Sequence, residues 1–276
     1  MNLRFISLSS GSDGNCYYIG TDSYGLLVDA GISPRRIKKG LAAAGLALES
    51  VVALCLTHDH ADHVRSAGFL GEKCGIPVYS TQSVLTGANH CRCMSEKIYS
   101  SGRPVIKDLP FAIRDFVITA FEVPHDGSDN VGYLVECFGR RFVFATDLGY
   151  IPDHAAAYLR RAHYLIIEAN YDAEMLRNSR YPYYLKQRIA SRSGHLCNDD
   201  TARFLAAQWS PETEYIFLCH LSRENNRPEL ACAAVESRLT QAGVAVGRDV
   251  QLVALERNKP GALYTFPVDI LQPRLF

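Results

Sequence analysis

The chain has no net charge to offer a partner, because 29 Lys and Arg balance 29 Asp and Glu over 276 residues. Bulk electrostatics announce no polyanion, so a nucleic-acid partner would need positive charge gathered locally. No apolar run reaches membrane-spanning length, and the sequence enters the strand-like Leu3 to Leu8 without a basic leader and long apolar segment. Neither a membrane partner nor a secretory signal is expected, and the expected location is the cytoplasm. No Pro-, Gly- or Ser-rich linker, internal repeat or low-complexity tract divides the chain, so one domain over residues 1–276 is expected, large enough to bury a sizeable core. The nine cysteines are odd in number and scattered, with Cys55, Cys137 and Cys219 inside apolar runs where a thiol behaves as a small hydrophobe. That excludes a disulfide framework. Cys91 and Cys93, with His90 beside them, could hold a metal, but without a second cysteine pair a variable loop is the default reading.

What the chain does have is the run T-H-D-H-A-D-H, Thr57 to His63, which places His58, His60, Asp62 and His63 within six positions. Ala53 to Leu56 reads as a buried strand and Val64 to Cys74 as a helix, so the run sits at a strand's C-terminal end, where loops commonly carry chemistry. Imidazole nitrogen and carboxylate oxygen suit zinc and related divalent ions, and four such groups offer ligands for two ions; a solvated polar loop is the bland alternative.

One segment pairs local positive charge with tyrosines. From Arg177 to Arg192 the chain carries Arg177, Arg180, Lys186, Arg188 and Arg192, with Tyr181, Tyr183 and Tyr184 interleaved. Basic groups can hold phosphates and tyrosines can stack on unpaired bases, while an ordinary solvated helix face is equally open. The loop Ser9 to Asn15 can turn backbone N–H groups toward a phosphate, or serve as a plain turn. Ser10, Ser12, Asn15, Arg188 and Arg192 are therefore candidate substrate contacts.

Short strands are expected at Leu3 to Leu8, Cys16 to Ile19 and Gly25 to Asp29, followed by a helix capped by Ser33 with Pro34 first and Ile37, Leu41 and Ala44 at helical spacing. The second half reads as a strand Phe116 to Val123, a hairpin of Gly132 to Phe138 and Arg141 to Ala145 turning at Gly139-Arg140, and a strand Tyr164 to Glu168. A helix Asp199 to Trp209, a strand Tyr215 to Cys219, a helix Pro228 to Ala242 and two final strands follow. Strands with covering helices in both halves make this an α/β chain and are compatible with two packed sheets enclosed by helices, though other layerings are open.

The pattern H-x-H-x-D-H after an apolar strand resembles the signature of the metallo-β-lactamase superfamily. That resemblance implies an α/β (α+β layered) αββα sandwich of two mixed sheets flanked by helices, with two divalent metals, zinc or manganese, at the sheet edges. It implies that His58, His60 and His125 bind one metal, that Asp62, His63 and His220 bind the other, and that Asp147 bridges both. His125, Asp147 and His220 each end a strand-like run, where each alone would pass for a turn residue. Asp29, ending the third strand in V-D-A-G, is expected to support a metal-bound histidine.

The blocks S-S-G-S-D-G-N (Ser9 to Asn15), E-A-N-Y-D (Glu168 to Asp172), S-G-H-L-C-N-D (Ser193 to Asp199) and L-S-R-E-N-N after His220 resemble the YycJ/WalJ group, exonuclease-like relatives of ribonucleases Z and J. The resemblance implies that Glu168 and His195 form a pair in which His195 protonates the leaving oxygen, as a phosphodiester's departing alkoxide requires. It also implies a hydroxide shared by the metals as nucleophile, oriented by Asp62, and a DNA substrate, more than RNA, cleaved from the 5′ end. Cys197 stands where the group usually has serine, and Gly127 to Asn130 after His125-Asp126 stand where its usual residues are different. The interval from Asp147 to His220 leaves no room for ribonuclease J's large inserted clamp domain. A small-molecule hydrolase (cyclic phosphodiesterase, lactonase or thioesterase) on the same metals remains open, as does a metal-binding regulatory module without turnover.

Overall fold

The computed structural model describes residues 1–268. The first half lays down β1 (Asn2–Ser9), β2 (Cys16–Gly20), β3 (Gly25–Val28), β4 (Val51–Cys55), β5 (Val78–Ser80) and β6 (Gly102–Pro104) as neighbours in one sheet. The second sheet takes β7 (Phe111–Ile113), β8 (Phe116–Glu122), β9 (Val131–Cys137), β10 (Arg140–Ala145), β11 (Tyr164–Glu168), β12 (Tyr215–Cys219) and β13 (Gln251–Ala254). The last strand, β14 (Tyr264–Pro267), returns to the first sheet and pairs antiparallel with β1, so each sheet has seven strands. Both sheets are mixed: hairpin-linked strands pair antiparallel, whereas β3 to β6 and β10 to β13 run parallel.

Alternation along each strand explains the layers. In β10, Phe142 and Phe144 join Phe5, Tyr17, Tyr164 and Phe217 in the core between the sheets, while Val143 and Ala145 point to the outer helices. In β1, Leu3 and Phe5 face that shared core and Ile6 and Leu8 face the opposite helices. The first sheet is covered by α1 (Pro34–Ala43), α2 (Ala61–Val64), α3 (Ala67–Glu72) and α4 (Gln82–His90). The second carries α5 (Asp153–Leu159), α6 (Ala173–Asn178), α7 (Tyr183–Ile189), α8 (Asn198–Gln208) and α9 (Pro228–Gln241). This is the expected αββα sandwich, with no inserted clamp.

Local readings hold where a signal is strong. Ser33 caps α1, its hydroxyl accepting from the Arg36 N–H, with Pro34 in the first turn, and β11 and β12 have the expected bounds. Three differences have physical causes. The helix expected from Val64 starts at Ala61 and breaks before Ala67, because Ser66 turns aside to donate its hydroxyl to the Ile32 carbonyl at 2.5 Å and its N–H to Ala30 at 2.9 Å. The hairpin turns one residue early, at Phe138-Gly139, whose φ values of 48° and 75° are those of a two-residue turn matched to strand twist. The three-residue strands β5, β6 and β7 carry too few positions for any periodicity and went unread.

Candidate metal centre

The motif run is held against the end of β3 by main-chain contacts. Ala30 N–H donates to the His63 carbonyl at 2.7 Å and Asn15 N–H to the Asp62 carbonyl at 2.8 Å. A Cβ on Gly31 would lie 1.6 Å from that Asp62 oxygen, so only glycine lets the run dock here. The remaining candidates come from the second sheet: His125 beyond β8, Asp147 beyond β10, Glu168 ending β11 and His220 beyond β12. Asp29, Asp147 and His220 follow the ends of their strands with φ of 59°, 54° and 53°, a left-handed conformation that turns each chain sharply at the sheet edge.

Four histidines have Nδ1 engaged by the surrounding protein. His63 Nδ1 donates to Asp29 Oδ2 at 2.7 Å, His125 Nδ1 to the Gly194 carbonyl at 2.8 Å and His220 Nδ1 to Glu168 Oε1 at 2.9 Å. His58 Nδ1 lies 3.0 Å from the Thr57 hydroxyl, which itself donates to Asp29. This fixes the tautomer and turns the Nε2 of each ring toward the centre as its potential ligand atom. His60 presents Nδ1, 3.1 Å from His58 Nε2 and 3.3 Å from His125 Nε2. Asp147 joins the groups, with Oδ2 3.2 Å from His63 Nε2 and Oδ1 3.1 Å from His220 Nδ1, and Asp62 Oδ2 is 3.5 Å from His63 Nε2 and 3.4 Å from His220 Nε2.

These residues fit divalent ions. His58, His60 and His125 form one cluster of potential ligand atoms, Asp62, His63 and His220 another, and Asp147 belongs to clusters with both His58 and His220. Asp147 Oδ2 and His220 Nε2 are buried without a hydrogen bond, an arrangement that a cation among them would satisfy. Burial pushes His58 well below the usual histidine range and lowers His125, so both present neutral lone pairs. Burial opposes charge on His220 too, and more than any single neighbour favours it, but Asp147, Asp62 and Glu168 together outweigh it and raise the ring to about 10. Burial likewise would raise Asp147, yet His220 and His63 hold it well below the carboxylate range. A proton and a metal ion answer to the same surplus of carboxylate charge here.

Glu168 is fully buried and saturated: Oε1 accepts from His195 Nδ1 at 2.8 Å as well as from His220, and Oε2 accepts the Leu148 and Leu196 N–H groups, both at 3.0 Å. His195, opposed by burial but raised by Glu168, keeps its side chain 20% exposed at the rim.

Of the three expected contacts on the first loop, only Ser12 is exposed. Ser10 and Asn15 are fully buried: Ser10 Oγ accepts the His220 N–H at 2.9 Å, and Asn15 Nδ2 lies 3.0 Å from His63 Nε2. Arg188 pairs with Asp126 at 2.7 Å, and Arg192 stacks over the Tyr150 ring at 4.0 Å. The departures from the expected pattern have partners as well. Cys197 caps α8, its sulfur accepting the Asp200 N–H as a serine would, and Asn130 Nδ2 donates to the His125 carbonyl at 2.9 Å. Cys91 and Cys93 bring their sulfurs to 2.6 Å, but among the described residues they join no group of three potential ligands, and His90 bonds instead to the Thr86 carbonyl.

Sequence reasoning missed Asp126, Asp59 and Asn170. Asp126 Oδ1 stands 3.4 Å from both His60 Nε2 and His125 Nε2, Asp59 accepts the Ser128 N–H at 3.1 Å, and Asn170 Nδ2 donates to the His220 carbonyl at 2.8 Å. Adjacency to assigned histidines was the signal available for the two aspartates.

The profile of the β-lactamase superfamily domain matches residues 24–216. The chain is 34% identical over 266 residues to exodeoxyribonuclease YycJ of Bacillus anthracis, covering 94% of this chain and 98% of that protein. It is 35% identical over 255 residues to exodeoxyribonuclease WalJ of Streptococcus pneumoniae, covering 91% and 94%. Among solved structures, the metallo-β-lactamase fold protein YhfI of Bacillus subtilis superposes with a TM-score of 0.71 at 17% identity, over 96% of this chain and all of the other, which shows a common fold.

Proposed function

The chain belongs to the β-lactamase superfamily, in the group of the YycJ and WalJ exodeoxyribonucleases, and from that membership we propose that it is a two-metal exonuclease shortening DNA from its 5′ end. Metal-dependent hydrolysis is the family's chemistry. The observation that carries the phosphodiesterase reading within this fold is the Glu168–His195 pair, a saturated buried carboxylate holding a rim imidazole at 2.8 Å.

We assign His58, His60 and His125 to one zinc or manganese ion, Asp62, His63 and His220 to a second, and Asp147 to both. Divalent ions supply Lewis acidity toward a phosphoryl oxygen and bring water to a nucleophilic form near neutral pH. Asp62 accepts a hydrogen bond from the attacking water and sets its direction. As the bond from phosphorus to the departing oxygen breaks, His195 gives that oxygen the proton on Nε2. Glu168 holds Nδ1–H throughout and keeps the ring charged until transfer. Asp29 and the Gly194 carbonyl hold His63 and His125 in the tautomers the assignment needs. We place the enzyme in the cytoplasm, where its nine cysteines, all free thiols, stay reduced.

The test is incubation of manganese- or zinc-loaded protein with end-labelled single- and double-stranded DNA, RNA and bis-p-nitrophenyl phosphate, with Asp147→Ala as control. Mutant-sensitive shortening of DNA from the 5′ end is expected. Cleavage of the small diester alone would replace the nuclease with a small-molecule phosphodiesterase.

A further inference from the structure

Between Glu174 and Asp199 the chain has no Asp or Glu, yet it carries Arg177, Arg180, Lys186, Arg188 and Arg192. In a chain of balanced charge this is a local surplus, and it lies on α6, α7 and the links beside them. The segment is anchored: Tyr181 and Ile189 pack on a small cluster of Tyr171, Leu176 and Cys197, and Lys186 Nζ ties α7 to the Arg177 carbonyl at 2.7 Å. Tyr183 and Tyr184 take no part in that cluster and stand 75% and 72% exposed.

The end of α7 is joined to the reaction centre. His195 N–H donates to the Ile189 carbonyl at 2.9 Å, and a Cβ on Gly194 would meet that oxygen at 2.2 Å, so the last turn sits directly against the chain bearing His195. Arg188 bonds Asp126 at 2.7 Å, and Asp126 reaches His60 and His125 at 3.4 Å. Tyr184 precedes Arg188 by four residues and so shares its helix face, one turn of about 5.4 Å back along α7. An exposed aromatic plane one turn along the helix from Arg188, flanked by cations, matches an unpaired base followed by phosphates. Paired bases offer no free face for it, so the platform takes a base freed from its pair at the strand end.

Resting on the nuclease reading above, we infer that Tyr184, with Tyr183 beside it, is the stacking platform for the base next to the scissile phosphate, and that Arg177 and Arg180 hold phosphates farther along the strand. Tyr184→Ala raises KM for a single-stranded oligonucleotide about 5- to 100-fold, and Tyr184→Trp restores it. On a strand whose terminal nucleotides are abasic, wild type and Tyr184→Ala coincide, since there is no base to stack. With metal chelated, 2-aminopurine at the strand end is quenched by wild type and not by the double variant Tyr183→Ala/Tyr184→Ala. Arg180→Ala lowers the slope of log affinity against log salt by about one phosphate contact. Wild-type shortening of DNA with both tyrosine variants equal to it overturns the platform and spares the nuclease. A wild type that hydrolyses bis-p-nitrophenyl phosphate but no polynucleotide overturns both. If the tyrosine variants instead abolish self-association in sedimentation and leave strand binding intact, the patch belongs to a second copy of the chain and the inference fails.

Discussion

At the residue scale, the proposed assignment separates groups that would hold metal from one that would move a proton. Asp147→Asn keeps the side-chain shape and a residue type tolerant of its left-handed backbone, while removing the charge shared with His63 and His220. Metal content, read by elemental analysis, and activity are expected to fall together. His195→Ala should instead retain full metal content and lose about 10²- to 10⁴-fold in kcat. Equal activity in that variant would remove His195 from the mechanism. The expected ligands were legible because four of them crowd into one run and the others end strongly apolar strands. Asp59 and Asp126 were not, since a lone carboxylate in a polar loop has no spacing to betray it. The burial of Ser10 and Asn15 was hidden for a related reason: small polar residues in a glycine-rich loop read alike whether they face solvent or brace His220 and His63.

At the element scale, two caps carry measurable consequences. Cys197 caps α8 through a weak sulfur acceptor, with Asp200 N–H to Sγ at 3.4 Å. Cys197→Ser shortens that contact and should stabilise the fold by up to about 1 kcal/mol, seen as a raised urea midpoint. Glu72, ending α3, accepts the N–H groups of Tyr99, Ser100 and Ser101 at 2.9, 3.0 and 2.9 Å. The Ser101 hydroxyl and the Ser101 and Tyr99 N–H groups, with the Ser100 hydroxyl adding, lower its pKa to about 2. A depressed carboxylate contributes its stability above the ordinary glutamate range and loses it as pH falls toward 2. The urea midpoints of wild type and Glu72→Gln should therefore differ at pH 6 and converge as acid approaches pH 2; a gap that persists there would refute this role. Helices with caps and long periodic strands were legible in sequence, as α1, β11 and β12 show. This Glu72 clasp joins residues 27 to 29 positions apart and leaves no local pattern.

At the scale of the whole molecule, the ligand set straddles the sandwich. His58, His60, Asp62 and His63 follow β4 of the first sheet, and His125, Asp147 and His220 follow strands of the second. Metal bound as proposed would therefore clamp the two sheets at one edge. At a thousandfold excess over Kd it adds about 4 kcal/mol, on the order of 10 °C in Tm for a chain of this size. Calorimetry before and after chelation, followed by reloading, should show that loss and its recovery. An unchanged Tm would mean that the centre forms without bracing the fold.

The pairing of β14 with β1 also has a consequence in time. Asn2 aligns with Pro267, so β1 waits for a partner about 265 residues later in the chain. At typical ribosomal speed that interval is on the order of 10 s to a minute, during which the outer edge of β1 has no hydrogen-bonding neighbour. The nascent polypeptide thus carries an open β-edge throughout that interval, and it is there that a chaperone would find a handhold.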